Sequence, residues 1–116
     1  MTIRRLERSE WHGFCIRATR GFLGKHVRIE VGSLQIGFQL EAHRLPLLGI
    51  SYDAKNDVLE LIVGELDHLI HAPRELYVDE EIFDMISLQI VDADGVRQIV
   101  TFRDPLMLPA PPHSWK

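Results

Sequence analysis

The stretch Leu45–Glu80, LPLLGISYDAKNDVLELIVGELDHLIHAPRELYVDE, decides the fold. Leu48, Ile50 and Tyr52 recur at every second position, and the polar turn DAKND (Asp53 to Asp57) leads into VLELIV (Val58 to Val63). A period of two marks a strand with one buried face. In VLELIV, Leu59, Leu61 and Val63 share one face while Val58 and Ile62 share the other. A strand that is apolar on both faces is expected in the middle of a sheet. From Gly64 to Ala72 the pattern leaves loop, short strand and helical turn open. After Pro73, ELYVDE (Glu75 to Glu80) reads as a further strand.

On the N-terminal side, Ser9 is placed to cap a helix running to about Phe22. Trp11, Phe14, Cys15, Ala18 and Phe22 fall on one apolar stripe, with Arg17 and Arg20 opposite. Gly21 and Gly24 with Lys25 supply a stop. Val27, Ile29 and Val31 then alternate with charged residues, and Gly32-Ser33 suits a two-residue turn. Leu34, Ile36, Phe38, Leu40 and Ala42 follow on one face of a second strand, and Pro46 bends the chain. On the C-terminal side, the acidic segment Glu80–Asp84 leads to ISLQIVD (Ile86 to Asp92), Asp94-Gly95 signals a hairpin, and VRQIVTFR (Val96 to Arg103) completes it.

The expected fold is α+β: an N-terminal helix packed on an antiparallel β-meander of about seven strands, rolled into a half-barrel. Residues 1–116 read as one domain with a Pro-rich tail from about 105 to 116. The HVRIEV and VRQIVTFR strands are the expected sheet edges.

Composition narrows the class. A hydrophobic share of 46% with 26% charged residues belongs to an ordinary globule. The single cysteine excludes an internal disulfide, and no apolar run approaches the ~20 residues that span a bilayer. No secretory leader pattern precedes the helix, so a cytoplasmic location without membrane contact is expected. Net charge is −4, unevenly spread. Residues 1–28 carry seven Lys/Arg against two Glu, and the remainder carries six basic against fifteen acidic side chains. A basic head on an acidic body argues against nucleic-acid binding, which needs a basic face. It fits a homo-oligomer, in the first instance a dimer, or an acidic protein partner met through Arg17 and Arg20.

LPLLGISYDAKNDVLELIV, DHLI, the Pro followed by YVDE, and VDADGVRQIV followed by RDPLMLP resemble a small family of uncharacterised bacterial single-domain proteins, a domain of unknown function. The resemblance covers nearly the whole chain and implies no activity, cofactor or site residue.

Residue chemistry yields one candidate cluster, Asp67, His68 and His71. On a helical turn the two His are neighbours and could share a metal with Asp67, or with a distant carboxylate such as Asp79. On a strand they point to opposite faces and the site dissolves. Cys15, within the apolar stripe, reads as an inert buried thiol. No serine lies in a G-x-S-x-G context, and neither a G-x-G-x-x-G nor a phosphate-loop lysine is present. The pairs Asp53/Asp57 and Asp92/Asp94 suit turns better than calcium loops. The expectation is a non-enzymatic accessory, assembly or binding protein of otherwise unknown function, with no cofactor. The alternative is a metal-dependent enzyme or small-ligand binder using Asp67, His68 and His71.

Overall fold

In the computed structural model, which describes residues 2–33, 37–81 and 84–104, the first element is a short strand, β1 (Thr2–Arg5). A 3-10 turn (Arg8–Glu10) leads into α1 (Trp11–Phe22). Then come β2 (His26–Ser33), β3 (Gly37–Asp53), β4 (Val58–Val63), β5 (Leu66–His71), β6 (Pro73–Glu81), β7 (Asp84–Asp92) and β8 (Arg97–Arg103). The strands form one antiparallel sheet in the order β1-β6-β7-β8-β2-β3-β4-β5.

The α+β expectation holds in its broad form, one helix against an antiparallel sheet, but strands dominate, and the described residues form eight of them. Two meanders, β2 to β5 and β6 to β8, join where β8 pairs with β2. The edges are therefore β1 and β5, whereas HVRIEV and VRQIVTFR are neighbours inside the sheet. Among the described residues the sheet is open, since its two end strands do not pair, so the expected half-barrel is not a closed one. Leu34, Ile36 and the tail from 105 to 116 lie outside the described residues.

The helix forms where its stripe says it should. Trp11, Phe14, Cys15 and Ala18 are buried and Arg17 and Arg20 exposed. Ser9, however, is no cap. It sits inside the 3-10 turn, which Glu7 and Glu10 close: the Glu7 amide donates to Glu10 Oε1 at 2.9 Å and the Glu10 amide to the Glu7 carbonyl at 2.8 Å.

The element that shapes the sheet is β3. Its first part pairs with β2 as far as Pro46, and from Leu47 onward it pairs with β4. One strand of 17 residues is thus shared by two parts of the sheet. Pro46 stands at the change of partner, where it has no amide to leave unpaired. Beyond that point the strand's free side is met by the helix and its exit. The Gly24 amide donates to the Leu47 carbonyl (2.9 Å), the Leu47 amide to the Lys25 carbonyl (2.8 Å), and the Ile50 amide to Thr19 Oγ1 (2.9 Å).

Irregular register bends β3 as well, with shifts opposite Val27 to Glu30 and between Leu47 and Gly49. An inserted residue exchanges the two faces of a strand. Ala42 therefore faces the core, while Phe38 and Leu40, expected on the same face, are each 53% exposed. The turn is displaced too: Gly32 and Ser33 pair with Phe38 and Gly37 inside the hairpin. A Cβ on Gly32 would lie 2.6 Å from the Phe38 ring, so the aromatic fills the space that only glycine leaves.

The curl brings β5 over β8. His68 hydrogen-bonds Gln98, although three strands separate theirs in the sheet order. Between the two parts lies the core: Leu47, Leu59, Leu61, Val63 and Ile70 on one side, Val27, Ile29, Leu76, Val78, Leu88, Ile90 and Val100 on the other. Each is at most 1% exposed, and burying a side chain of this size contributes about 1.5–3 kcal/mol. VLELIV is not doubly covered, because Ile62 is exposed and β4 lies next to an edge.

One end of the molecule is closed by Arg8. Its guanidinium donates to Tyr52 Oη (2.8 Å), Asp57 Oδ1 (3.1 Å) and the Pro73 carbonyl (2.9 Å), and it lies over the Trp11 ring. Cys15, on the buried face of α1, is 1% exposed, and burial pushes its thiol pKa up to about 12. Native protein at pH 8 is therefore expected to resist a thiol reagent over hours and to react fully once denatured. Prompt reaction in the native state, read by absorbance of the released chromophore, would contradict this packing.

Candidate anion-binding site

Val27 pairs with Leu45 and Ile29 with Ala42, so one β2 residue, Arg28, faces two residues of β3, His43 and Arg44. This is a β-bulge, and bulges re-aim side chains. Arg44 adopts φ 59°, the left-handed region that costs an ordinary residue about 1–2 kcal/mol. Strain of this kind persists only where surrounding structure enforces it. Here the enforcement comes from Ala42 and Leu45, held in register with β2 on either side of the insertion.

On the far side of β2, His26 pairs with Arg103 and Arg28 with Thr101. Val27 and Ile29 point into the core, so His26 and Arg28 share the outer face with Thr101 and Arg103. Together with His43, Arg44 and Asp104, these residues line an open concavity of about 310 Å³. Ligand pockets start at roughly this volume.

The electrostatics are one-sided. Arg28, Arg44 and Arg103 bring three guanidinium groups, always charged at neutral pH. Arg28 Nε lies 3.6 Å from Glu30, a loose exposed pair. Among the described residues, Arg44 and Arg103 meet no carboxylate. The one acid in the lining, Asp104, is an exposed side chain with Lys25 Nζ at 2.9 Å. Guanidinium groups offer planar pairs of N–H donors that match the two oxygens of a carboxylate or phosphate. On a chain whose net charge is −4, this is a local positive focus.

The residues singled out from sequence do not converge. The segment after Gly64 is a strand, β5, so Asp67 and His71 lie on its exposed face and His68 on its inner face. His68 is engaged by Gln98. Asp67 instead shares a hydrogen bond with Glu60 across the sheet, which raises the Glu60 carboxyl above its ordinary value. Asp79 lies on β6, between Ile3 and Ser87, at the other end of the strand order. Among the described residues no three His, Cys, Asp or Glu side chains are grouped to hold a metal ion. The first member of each Asp pair works in a turn: Asp53 Oδ1 accepts the Lys55 and Asn56 amides, and Asp92 Oδ1 those of Asp94 and Val96, while Asp57 Oδ1 accepts from Tyr52 and Arg8.

A family model for a family of unknown function matches residues 2–111. The chain belongs to that family, DUF5335. An uncharacterized protein of Aquifex aeolicus (strain VF5) is 34% identical over 110 residues, covering 94% of this chain and 99% of the relative. This agrees with a small family of uncharacterised bacterial proteins, and no function comes with the membership. No solved structure matches this DUF5335 chain. Among its described residues no helix is long and apolar enough to cross a membrane.

The basic cluster was absent from the sequence reading because its members are far apart, at 26–28, 43–44 and 101–104. The available signal was His43-Arg44 breaking the alternation ahead of Pro46. If the bulge holds Arg44 in strain, Arg44→Gly is expected to leave stability unchanged or raise it by up to about 1 kcal/mol. Urea denaturation measures this, and a loss above 1 kcal/mol would show that the guanidinium supports the fold.

Proposed function

We propose that this protein is a non-enzymatic binding module that receives an anionic group, carboxylate or phosphate, in the concavity between β3, β2 and β8. The observation that carries the reading is the convergence of Arg28, Arg44 and Arg103 around one open space, two of them without a carboxylate partner among the described residues. A protein using arginines only for solubility gains nothing by holding Arg44 in strain at a bulge beside Arg28, with Arg103 across β2. His26, His43 and Thr101 add hydrogen-bonding groups at the rim. The small volume suits a single anionic group, borne by a small molecule or by an acidic residue of a partner protein.

This reading takes residues 1–116 as one domain and its home as the cytoplasm, in keeping with a lone cysteine on the buried face of the helix. Exposed Arg17 and Arg20 on α1 supply a second basic surface that suits an acidic protein partner.

The test is titration of isotope-labelled protein with sodium phosphate and, separately, sodium citrate at constant ionic strength, followed by amide chemical shifts. The expected result is saturable shifts centred on residues 26–28, 43–44 and 101–103. Arg44→Gly is expected to weaken binding about 10-fold or more, since a hydrogen bond to a charged group is worth about 1.5–3 kcal/mol. Shifts scattered over the surface, or unaltered in Arg44→Gly, would overturn the assignment.

A further inference from the structure

The two edges of the sheet are protected differently. β1 has four residues, of which Arg4 and Arg5 are charged. Short length and cationic side chains are common protections of an edge against pairing. β5, LDHLIH, has neither: its six residues contain no Lys, Arg or Pro, and its register with β4 is unbroken over all six pairs. Among the described residues it is a regular edge strand, and half its backbone groups meet no partner there.

Which groups are free follows from the hairpin. Val63 and Leu66 flank the two-residue turn Gly64-Glu65, and Gly64 has φ 56°. The pair closing such a turn is hydrogen-bonded, and bonded and non-bonded pairs then alternate. Leu66, His68 and Ile70 therefore direct their amides and carbonyls toward β4. The Ala72 amide keeps the same parity, donating to the Asp57 carbonyl at 2.9 Å. Asp67, Leu69 and His71 direct theirs outward.

We propose that β5 is the homodimer interface of this protein, pairing antiparallel with β5 of a second copy about a two-fold axis at Leu69. In that register Asp67 stands opposite the partner's His71, Leu69 opposite the partner's Leu69, and His71 opposite the partner's Asp67. Every outward amide and carbonyl of the three residues finds its complement, two hydrogen bonds for each facing pair. The side chains of these residues share the exposed face of β5. Each Asp67 carboxylate accepts from an imidazole N–H across the axis. Leu69, 45% exposed, meets its counterpart; on β4 Glu60 stands directly beside it, and Ile62, 37% exposed, lies diagonally from it beside Asp67. The strand D-x-L-x-H is complementary to its own reverse, which is what a two-fold contact demands. A different protein's strand would have no reason to match that order, and so the occupant is a second copy. The contact is short, and its affinity is expected in the micromolar range rather than below it.

Sedimentation equilibrium from about 5 to 200 µM decides the matter. The expected result is a monomer–dimer equilibrium. Leu69→Lys sets two like charges face to face and is expected to give a monomer throughout. Leu69→Pro is expected to do the same while keeping the fold, because the amide it removes is an outward one. Circular dichroism confirms folding of both. The register has its own readout: Asp67→His and His71→Asp each weaken the dimer at least 10-fold, and the double variant restores it. A monomeric native protein at 200 µM, a dimer indifferent to both Leu69 variants, or a double variant no better than the singles would each overturn the proposal.

Discussion

The structure depends on one change of partner. At Pro46–Leu47, β3 leaves β2 and takes up β4 without ending. An extended strand doing this carries a flank of unpaired amides and carbonyls into the interior, and each such group left unsatisfied costs about 1–3 kcal/mol. The flank is answered from one source, α1 and the residues that leave it. The backbone of Gly24 and Lys25 bonds the carbonyl and the amide of Leu47, and Thr19 reaches Ile50. The helix is therefore the local partner of β3's second part, as well as an apolar cover for its face. Once that flank is closed, β3 can turn the β4–β5 hairpin over the rest of the sheet, and the large apolar side chains meet in one core.

The same turning has two outward consequences. It needs extra residues in β3, and one insertion puts His43 and Arg44 beside Arg28 on the solvent side, where Arg103 already stands across β2. The basic concavity is thus built from the irregularity that bends the sheet. The second consequence is at the end of the strand order. A sheet curled but not closed must end somewhere, and here it ends at β5, whose regular ladder leaves alternate backbone groups facing away.

Local patterns in the sequence were legible where a single element decides them. The helical stripe from Trp11 to Phe22 and the strands around Val58–Val63, Glu75–Glu80 and Val96–Arg103 follow from period alone. The turn aspartates at 53 and 92 followed from side-chain chemistry. What failed was decided by contacts across the chain. Thr2–Arg5 is a strand only because β6 offers an edge to it. Phe38 and Leu40 face solvent because an inserted residue shifts the period before Ala42, which alternation of residue types does not announce. Ser9 yielded to Glu7, two residues before it, and Glu10, one after it, which close the turn between them. For the site, the local cluster Asp67, His68 and His71 dissolved on a strand, and the arginines that do converge come from three strands that are distant in sequence and paired only in the fold.

The central claim is that the helix completes the free flank of β3. Thr19→Val tests it most directly, since valine keeps the shape and removes the oxygen that accepts the Ile50 amide at 2.9 Å. The account expects a loss of about 1–3 kcal/mol in urea unfolding and faster hydrogen exchange at the Ile50 amide, with the β6–β7 ladder relatively spared. Unchanged stability together with an Ile50 amide as protected as before would contradict it.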